Sequence, residues 1–152
     1  MKLVVQRVKS TRLEVDGKLV SEIGKGLAVY VGVAVGDSEK DADRLAEKLV
    51  KLRIFEDENG KMNLSLLDKA GEVLCISQFT LAADTKKGNR PSFVKAMEPE
   101  TASKYYDLYC EKLKEYGIKR VEKGIFGADM SVSLINDGPV TIILDTDTWK
   151  KH

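Results

Sequence analysis

The stretch Asn136-Asp137-Gly138-Pro139-Val140-Thr141 lies between two apolar alternating runs, Met130 to Ile135 and Val140 to Leu144. Proline has no N–H to donate to a β-ladder, and it pushes the residue before it out of the helical region. Asn, Asp and Gly are common in turns, so one interpretation is a hairpin corner between two strands. The other is a rigid edge, in which the carbonyls of Gly138 and Pro139 face a ligand.

Composition predicts one folded domain around this stretch. The chain has 152 residues, 43% of them hydrophobic, which is enough for a sizeable core. Its 25 Lys and Arg residues balance 24 Asp and Glu residues, giving a formal net charge of +1. Proteins that wrap duplex nucleic acid usually carry a basic excess, so the balance argues against that class and leaves room only for a local basic patch.

The sequence offers little for imidazole or thiolate chemistry. The single histidine is the last residue, His152, which argues against a Ser-His-Asp or Cys-His arrangement and against most zinc sites. Cys75 and Cys110 lie in apolar surroundings and are predicted to be buried free thiols. We therefore expect no metal and no other cofactor. Residues 1–3 lead directly into strand-like sequence with no secretory or membrane-spanning segment, so we expect a cytoplasmic protein.

Hydrophobic periodicity predicts an α+β protein. Apolar residues recur at helical spacing behind a Ser38–Asp41 capping box, which predicts a helix over 39–51. Pro99 suits the first turn of a second helix over 100–116, and Gly117 ends it. The almost wholly apolar run 27–33 is typical of a strand buried on both faces.

Other extended runs complete the predicted sheet, while 64–67 is ambiguous. These strands are expected at 2–9, 12–15, 18–23, 54–55, 72–78, 120–123, 130–136 and 140–144. We predict a single domain over 1–152, with a curved, mostly antiparallel, barrel-like sheet and two main helices.

A second informative stretch, Ser77-Gln78-Phe79-Thr80-Leu81, follows the predicted strand 72–78. The polar loop 84–90 comes directly after it and carries Lys86, Lys87 and Arg90. Such a loop is most often simply solvated, but its position also allows these three side chains to contact phosphate.

These two stretches together resemble the signature motifs of the D-aminoacyl-tRNA deacylases, also called D-tyrosyl-tRNA(Tyr) deacylases. Similar supporting stretches occur in the same order along nearly the whole chain: Arg7-Val8, Leu52 to Phe55, Gly88 to Phe93 and Phe126 to Met130. The resemblance implies a homodimeric hydrolase that cleaves the ester joining a D-amino acid, or glycine mischarged on tRNA(Ala), to the terminal adenosine of tRNA.

The resemblance also implies roles for individual residues. Gly138 and Pro139, joined by a cis peptide bond, would reach into the neighbouring subunit's site and reject L-amino acids. Ser77, Gln78, Phe79 and Thr80 would line the pocket, and their backbone N–H groups would hold the ester carbonyl. Met130 and Phe93 would shape the pocket, and Arg7 would brace the Gly-Pro loop. Lys86, Lys87 and Arg90 are the candidates for binding tRNA.

This chemistry is feasible without histidine. An aminoacyl ester beside a free ribose hydroxyl is labile, so positioning and oxyanion stabilisation are the main requirements. No base for Thr80 is evident in the sequence, so we expect substrate-assisted attack by water or by the ribose 2′-OH. Thr80 is then a pocket residue or simply a threonine whose hydroxyl is bonded locally.

Two other functions stay open at this point. One is a non-enzymatic nucleic-acid-binding protein that uses Lys86, Lys87, Arg90 and the Lys150-Lys151 tail. The other is an editing domain of the same fold that removes mischarged L-amino acids.

Overall fold

The sheet is built around one long strand, β1 (Lys2–Val15), in a computed structural model that describes residues 1–150. One edge of β1 pairs antiparallel with β3 (Gly26–Gly32) along its first half and with β2 (Lys18–Ile23) along its second. Its other edge pairs antiparallel with β8 (Ser131–Asp145) along almost its full length. The predicted strands 2–9 and 12–15 are therefore one continuous strand.

Beyond β3 the sheet becomes parallel. Strand β6 (Glu72–Ser77) pairs parallel with β3, and β7 (Val121–Lys123) pairs parallel with β6. The antiparallel pairings of β1 agree with the prediction, whereas the two parallel pairings were not predicted. Because β3 is central, nearly all of its residues are buried, which confirms the prediction for this run.

The sheet curls until its two ends approach each other. Arg120, just before β7, donates from Nη2 to the carbonyl of Glu22 in β2 at 2.8 Å. Its Nη1 lies 2.9 Å from a carboxylate oxygen of Glu72 at the start of β6. One side chain thus joins β2 to the parallel end of the sheet, which gives a nearly closed barrel.

The predicted helices are present with nearly the expected bounds. Helix α1 (Glu39–Lys51) begins with the predicted capping box, in which Asp41 accepts from the Ser38 N–H at 2.8 Å. Between the two main helices, β4 (Phe55–Glu56) and β5 (Met62–Leu64) form a small antiparallel pair, followed by α2 (Leu66–Lys69). Helix α3 (Pro99–Glu115) includes Pro99 in its first turn and packs against α1.

The core contains two apolar layers, one between the sheet and the helices and the other inside the barrel. Cys75 and Cys110 are buried free thiols in the first layer, as predicted, and burial raises the pKa of Cys75. Tyr106 is also buried, and its hydroxyl donates to the Cys75 carbonyl at 2.7 Å. The buried hydroxyl of Tyr109 has no hydrogen-bond partner within residues 1–150. Of these two buried tyrosine hydroxyls, only that of Tyr106 is hydrogen-bonded within the described residues.

A surface tyrosine follows at the end of α3. The hydroxyl of Tyr116 donates to the carboxylate of Asp43, and this hydrogen bond raises the pKa of Tyr116 to about 12.

Strand β8 passes directly through the Asn136–Thr141 stretch. On β1, Val8 is opposite Asn136 and Gln6 is opposite Thr141, so the sequence on both sides pairs with the same neighbour. The prediction of a hairpin corner is therefore wrong. The extra residues on β8 form a bulge, because the pairing resumes in the same direction on each side.

The C-terminal Trp149 lies in a short 3-10 turn against α1, where Arg44 and Lys48 lie over its ring at 5.2 and 5.7 Å. Lys151 of the predicted basic tail and His152 lie outside the described residues. Within residues 1–150, none of the helices combines the length and the apolar character needed to cross a membrane.

Candidate active site

The two motifs lie at different levels of the sheet. Ser77 ends β6 opposite Val31 of β3, whereas the bulge of β8 lies level with Arg7 of β1, which is opposite Leu27. Leu27 and Val31 are four residues apart, which is roughly 13 Å along a strand. Strands β1 and β3 also separate β8 from β6, at about 4.8 Å per strand. One chain therefore does not bring its own Gly138-Pro139 to its own Ser77–Thr80 stretch.

The Ser77–Thr80 stretch forms the turn where β6 ends and a 3-10 helix (Phe79–Ala82) begins. The Gln78 N–H is already used, because it donates to the Val31 carbonyl at 2.8 Å. The N–H groups of Phe79 and Thr80 have no backbone acceptor among the described residues, as expected for the first positions of a helix. These two N–H groups are the free backbone donors of the turn.

The hydroxyl of Thr80 is bonded locally. Gln78 donates from Nε2 to Thr80 Oγ1 at 2.5 Å. In the part of the chain that the structure describes, no carboxylate, imidazole or amine forms a hydrogen bond with this hydroxyl. The geometry thus supplies Thr80 with a donor and not with a base.

A cavity of about 270 Å³ opens beside this turn. Ser77, Gln78, Phe79 and Met130, four of the residues that the resemblance assigned to the pocket, line it together with the segment 126–129, whereas Thr80 does not line this cavity. The Met130 side chain packs over Gly124, where an added Cβ would come within 2.6 Å of the sulfur. Segment 126–129 was noticed as part of the family resemblance, but only Met130 from that region was predicted as a site residue.

Phe93 joins the site from a separate loop. Asp84 and Ser92 exchange backbone hydrogen bonds of 2.7 and 2.9 Å, which fold the loop between them back on itself. The Phe93 ring then lies edge-on to Phe79, with 5.2 Å between the ring centroids. Both rings are exposed, 57% for Phe79 and 38% for Phe93, so they form an apolar rim next to the cavity.

Lys86, Lys87 and Arg90 are exposed on the same loop. At the base of the loop, the Lys86 N–H donates to the Asp84 carboxylate at 3.0 Å and Lys95 lies 3.3 Å from it. The Lys86 hydrogen bond, together with Lys95, holds the pKa of Asp84 below its usual value. The loop therefore has a fixed base and carries its cations at the surface.

The Gly138-Pro139 bulge is braced from two sides. Asn136 donates from Nδ2 to the carbonyls of Arg7 and Val140, both at 3.0 Å. The buried Arg7 side chain donates from Nη1 to the Ile54 carbonyl at 2.7 Å and from Nε to the Asp137 carbonyl at 3.2 Å.

The bulge exposes the Gly-Pro pair itself. Gly138 and Pro139 are solvent-exposed and joined by a cis peptide bond, as the resemblance implied. The Arg7 guanidinium also lies 3.5 Å from the Asp137 carboxylate. Arg7 thus contacts the bulge through the backbone and the side chain of Asp137, and its bracing role in a site stays a prediction.

Residues 1–150 contain no group of three or more His, Cys, Asp or Glu side chains placed to hold a metal ion.

Comparison with known proteins identifies the family. The model of the D-Tyr-tRNA(Tyr) deacylase family matches residues 4–145. The chain belongs to this family. It is 57% identical to a D-aminoacyl-tRNA deacylase of Persephonella marina over 143 residues, which covers 94% of this chain and 96% of the relative. It is 53% identical to the D-aminoacyl-tRNA deacylase of Thermosipho africanus over 146 residues, covering 96% and 97%.

Solved structures with this deacylase fold are also similar. A c-Myc DNA unwinding element binding protein superimposes with a TM-score of 0.90 and 43% identity, covering 95% of this chain and 98% of that one. A probable eukaryotic D-amino acid tRNA deacylase superimposes with a TM-score of 0.82 at 19% identity, covering 94% and 97%. The second likeness concerns the fold alone.

Proposed function

We propose that this protein is a D-aminoacyl-tRNA deacylase, which hydrolyses the ester between a D-amino acid and the terminal adenosine of tRNA and rejects the L-aminoacyl ester. The observation that carries the proposal is the pair of free N–H groups at Phe79 and Thr80, next to a cavity in a chain of this family. Glycine has no side chain on either face of its α-carbon, so glycyl-tRNA is expected to be a substrate as well. Because aminoacyl-tRNA is used by ribosomes, we propose that the protein acts in the cytoplasm.

The Phe79 and Thr80 N–H groups are the proposed oxyanion donors. Negative charge develops on the ester carbonyl oxygen during attack, and fixed donors stabilise it without reorganising. Removing one such donor typically costs about 10²–10³ in kcat. The Gln78 N–H is excluded from this role because it is committed to Val31.

The attack is proposed to be substrate-assisted. Thr80 receives a hydrogen bond from Gln78 and has no neighbouring base to remove its proton, so it is a poor nucleophile at neutral pH. The vicinal ribose 2′-OH, or a water held beside it, lies next to the ester in every aminoacyl-tRNA. The protein then contributes positioning and oxyanion stabilisation.

Chiral selection is proposed to act between two subunits. The separation of Gly138-Pro139 from the Ser77–Thr80 turn within one chain means that a shared site requires a second copy. The outer edge of β8 has no strand partner within the described chain, and its Ile135 and Ile143 side chains are 55% and 65% exposed. A long, apolar, unpaired strand is a surface that a homodimer would cover, with two equivalent sites.

Deacylation rates on D-tyrosyl-, L-tyrosyl- and glycyl-tRNA test the activity. Rapid release from the D-tyrosyl and glycyl esters with slow release from the L ester supports the proposal. Faster hydrolysis of the L ester identifies an L-specific editing domain. Absence of hydrolysis with tight nucleic-acid binding supports a binding protein, a candidate that the likeness to the c-Myc DNA unwinding element binding protein favours.

Mixed dimers test the shared site. Ser77→Trp fills the cavity, and Gly138→Ala disturbs the bulge, so each variant alone should have strongly reduced activity. If each site takes its cavity from one subunit and its bulge from the other, co-expression of the two variants restores one working site per mixed dimer. Failure to restore activity in mixed dimers verified by light scattering contradicts the shared site.

A further inference from the structure

A second cavity lies beside the Gly138-Pro139 bulge and is larger than the cavity at Ser77. It has a volume of about 520 Å³ and is bounded by the middle of β1, the turn before β3 and the end of α2. Lysines from these three separate segments, Lys9, Lys25 and Lys69, are exposed around it. We call this cavity the basic groove.

The acidic side chains of the basic groove are already paired. Glu72 lies 2.9 Å from Arg120. Asp137 and Glu56 lie 3.5 and 4.0 Å from the guanidinium of Arg7. Arg7 is also committed to two backbone carbonyls, so it adds no free positive charge to the groove.

The lysines, by contrast, are free of acidic partners. Within residues 1–150, no carboxylate oxygen lies within 4.0 Å of the ammonium group of Lys9, Lys25 or Lys69. This distance is that of the longest ion pair given above, between Arg7 and Glu56. Three unpaired cations around one groove, in a chain with a formal net charge of only +1, mark a local site for a polyanion. A positively charged open groove is the kind of surface that follows the backbone of a single nucleic-acid strand.

The basic groove adjoins the bulge directly. Arg7 and Asp137 line the groove, and the same residues form the base of the Gly138-Pro139 bulge. If the bulge of one subunit enters the site of its partner, this groove opens beside the partner's bound ester. That arrangement brings the groove near the nucleotides that precede the terminal adenosine.

We propose that the basic groove binds the phosphates of the single-stranded 3′ end of the tRNA whose ester lies in the partner subunit's site. This inference rests on the proposed function. Lys9, Lys25 and Lys69 are positioning residues that hold the tRNA end and do not touch the reacting atoms. The substrate is thus held by one subunit on its nucleotide side and by the other at the oxyanion.

Each phosphate neutralised on a single strand contributes roughly −0.7 to the slope of log K against log salt. Three lost contacts therefore reduce the slope by about 2, and they weaken binding roughly 100-fold at about 0.1 M salt.

The test compares a groove variant, Lys9→Gln/Lys25→Gln/Lys69→Gln, with a control, Lys18→Gln/Lys40→Gln/Lys61→Gln. The control removes the same charge from lysines that are also exposed and lie outside the groove.

Binding of uncharged tRNA is measured against salt for the wild type and both variants, with intact tRNA and with tRNA whose single-stranded 3′ end has been removed. On intact tRNA, the groove variant should bind more weakly and show a smaller slope of log K against log salt. Removal of the single-stranded 3′ end should weaken tRNA binding only for the wild type and the control. Equal affinities for all three proteins, or equal losses in both variants, overturn the proposal.

A second readout separates the groove from the activity. The groove variant should raise KM for D-tyrosyl-tRNA with little change in kcat, and it should hydrolyse D-tyrosyl-adenosine, which has no phosphates, at the wild-type rate. Slower hydrolysis of D-tyrosyl-adenosine by the groove variant contradicts a positioning role. If the wild type hydrolyses neither ester, the proposed function fails, and the binding measurement still decides whether the groove holds the tRNA end.

Discussion

Gly138→Ala places one methyl group at the most confined point of the β8 bulge. Gly138 has φ +127°, which L side chains rarely adopt. An added Cβ would lie 2.9 Å from Val140 Cγ2, 3.1 Å from the Val140 nitrogen and 3.1 Å from Arg7 Nη2. Val140 belongs to the paired strand and Arg7 is held by buried hydrogen bonds, so neither neighbour can move freely.

The cost has two sources. Holding a non-glycine residue in such a backbone conformation costs roughly 1–3 kcal/mol. Overpacking by a methyl group adds typically 1–3 kcal/mol. We therefore expect Gly138→Ala to lower the free energy of unfolding by about 2–6 kcal/mol, which is large but within the stability of an ordinary domain.

Gly36→Ala is the matched control. Gly36 also has a positive φ, +96°, but nothing lies within 4 Å of an added Cβ. It should show the conformational cost of roughly 1–3 kcal/mol without the overpacking. Urea unfolding at one fixed protomer concentration measures both variants, because the stability of a dimer depends on concentration.

Activity provides the second half of this test. A displacement of about 1 Å near a reacting centre can lower the reaction rate roughly 10²-fold. Gly138→Ala should therefore lower kcat/KM for D-tyrosyl-tRNA by about that factor, whereas Gly36→Ala should leave it near the wild-type value. If the two variants are equally stable, the packing argument is wrong. If Gly138→Ala keeps wild-type kcat/KM and selectivity, the bulge is not part of the site.

The remaining predictions concern single hydroxyl and N–H groups. Tyr106→Phe should lower the free energy of urea unfolding by about 0.5–1.5 kcal/mol because it removes one of two hydrogen bonds to the Cys75 carbonyl, which still accepts from the Gly124 N–H, whereas Tyr109→Phe should be neutral or stabilising; equal losses would refute the contrast. Thr80→Val should keep kcat/KM within about tenfold of the wild-type value. Replacing Thr80 by its α-hydroxy acid removes the backbone N–H and should lower kcat by about 10²–10³-fold. An acyl-Thr80 adduct in mass spectra would show covalent catalysis instead. Because the pKa of Tyr116 is raised from 10.0 to about 12 in the fold, its contribution to stability is present below pH 10 and is lost as the pH rises toward 12. The difference in unfolding free energy between wild type and Tyr116→Phe should shrink over that interval, and a constant difference would contradict the assignment.

Local features of the chain were predictable because their causes are local. The helix over 39–51 follows from apolar spacing and from a capping box that spans four residues, and both act within one or two turns. The buried run 27–33 was recognisable for a similar reason. The Ser77–Thr80 stretch, Phe93 and Met130, in contrast, were assigned to one pocket only by the family resemblance.

Only the tertiary structure decided how these segments combine. Residues 136–141 look like a corner in sequence, yet β8 continues because β1 is long enough to pair with it on both sides of the bulge. The same pairing puts Gly138 at a different level of the sheet from Ser77. Lys9, Lys25 and Lys69 are each unremarkable in sequence, and the fold alone places them around one groove. Strand pairing joins residues far apart in the chain, and its register depends on the whole set of packed faces, so periodicity within any one segment could not fix it.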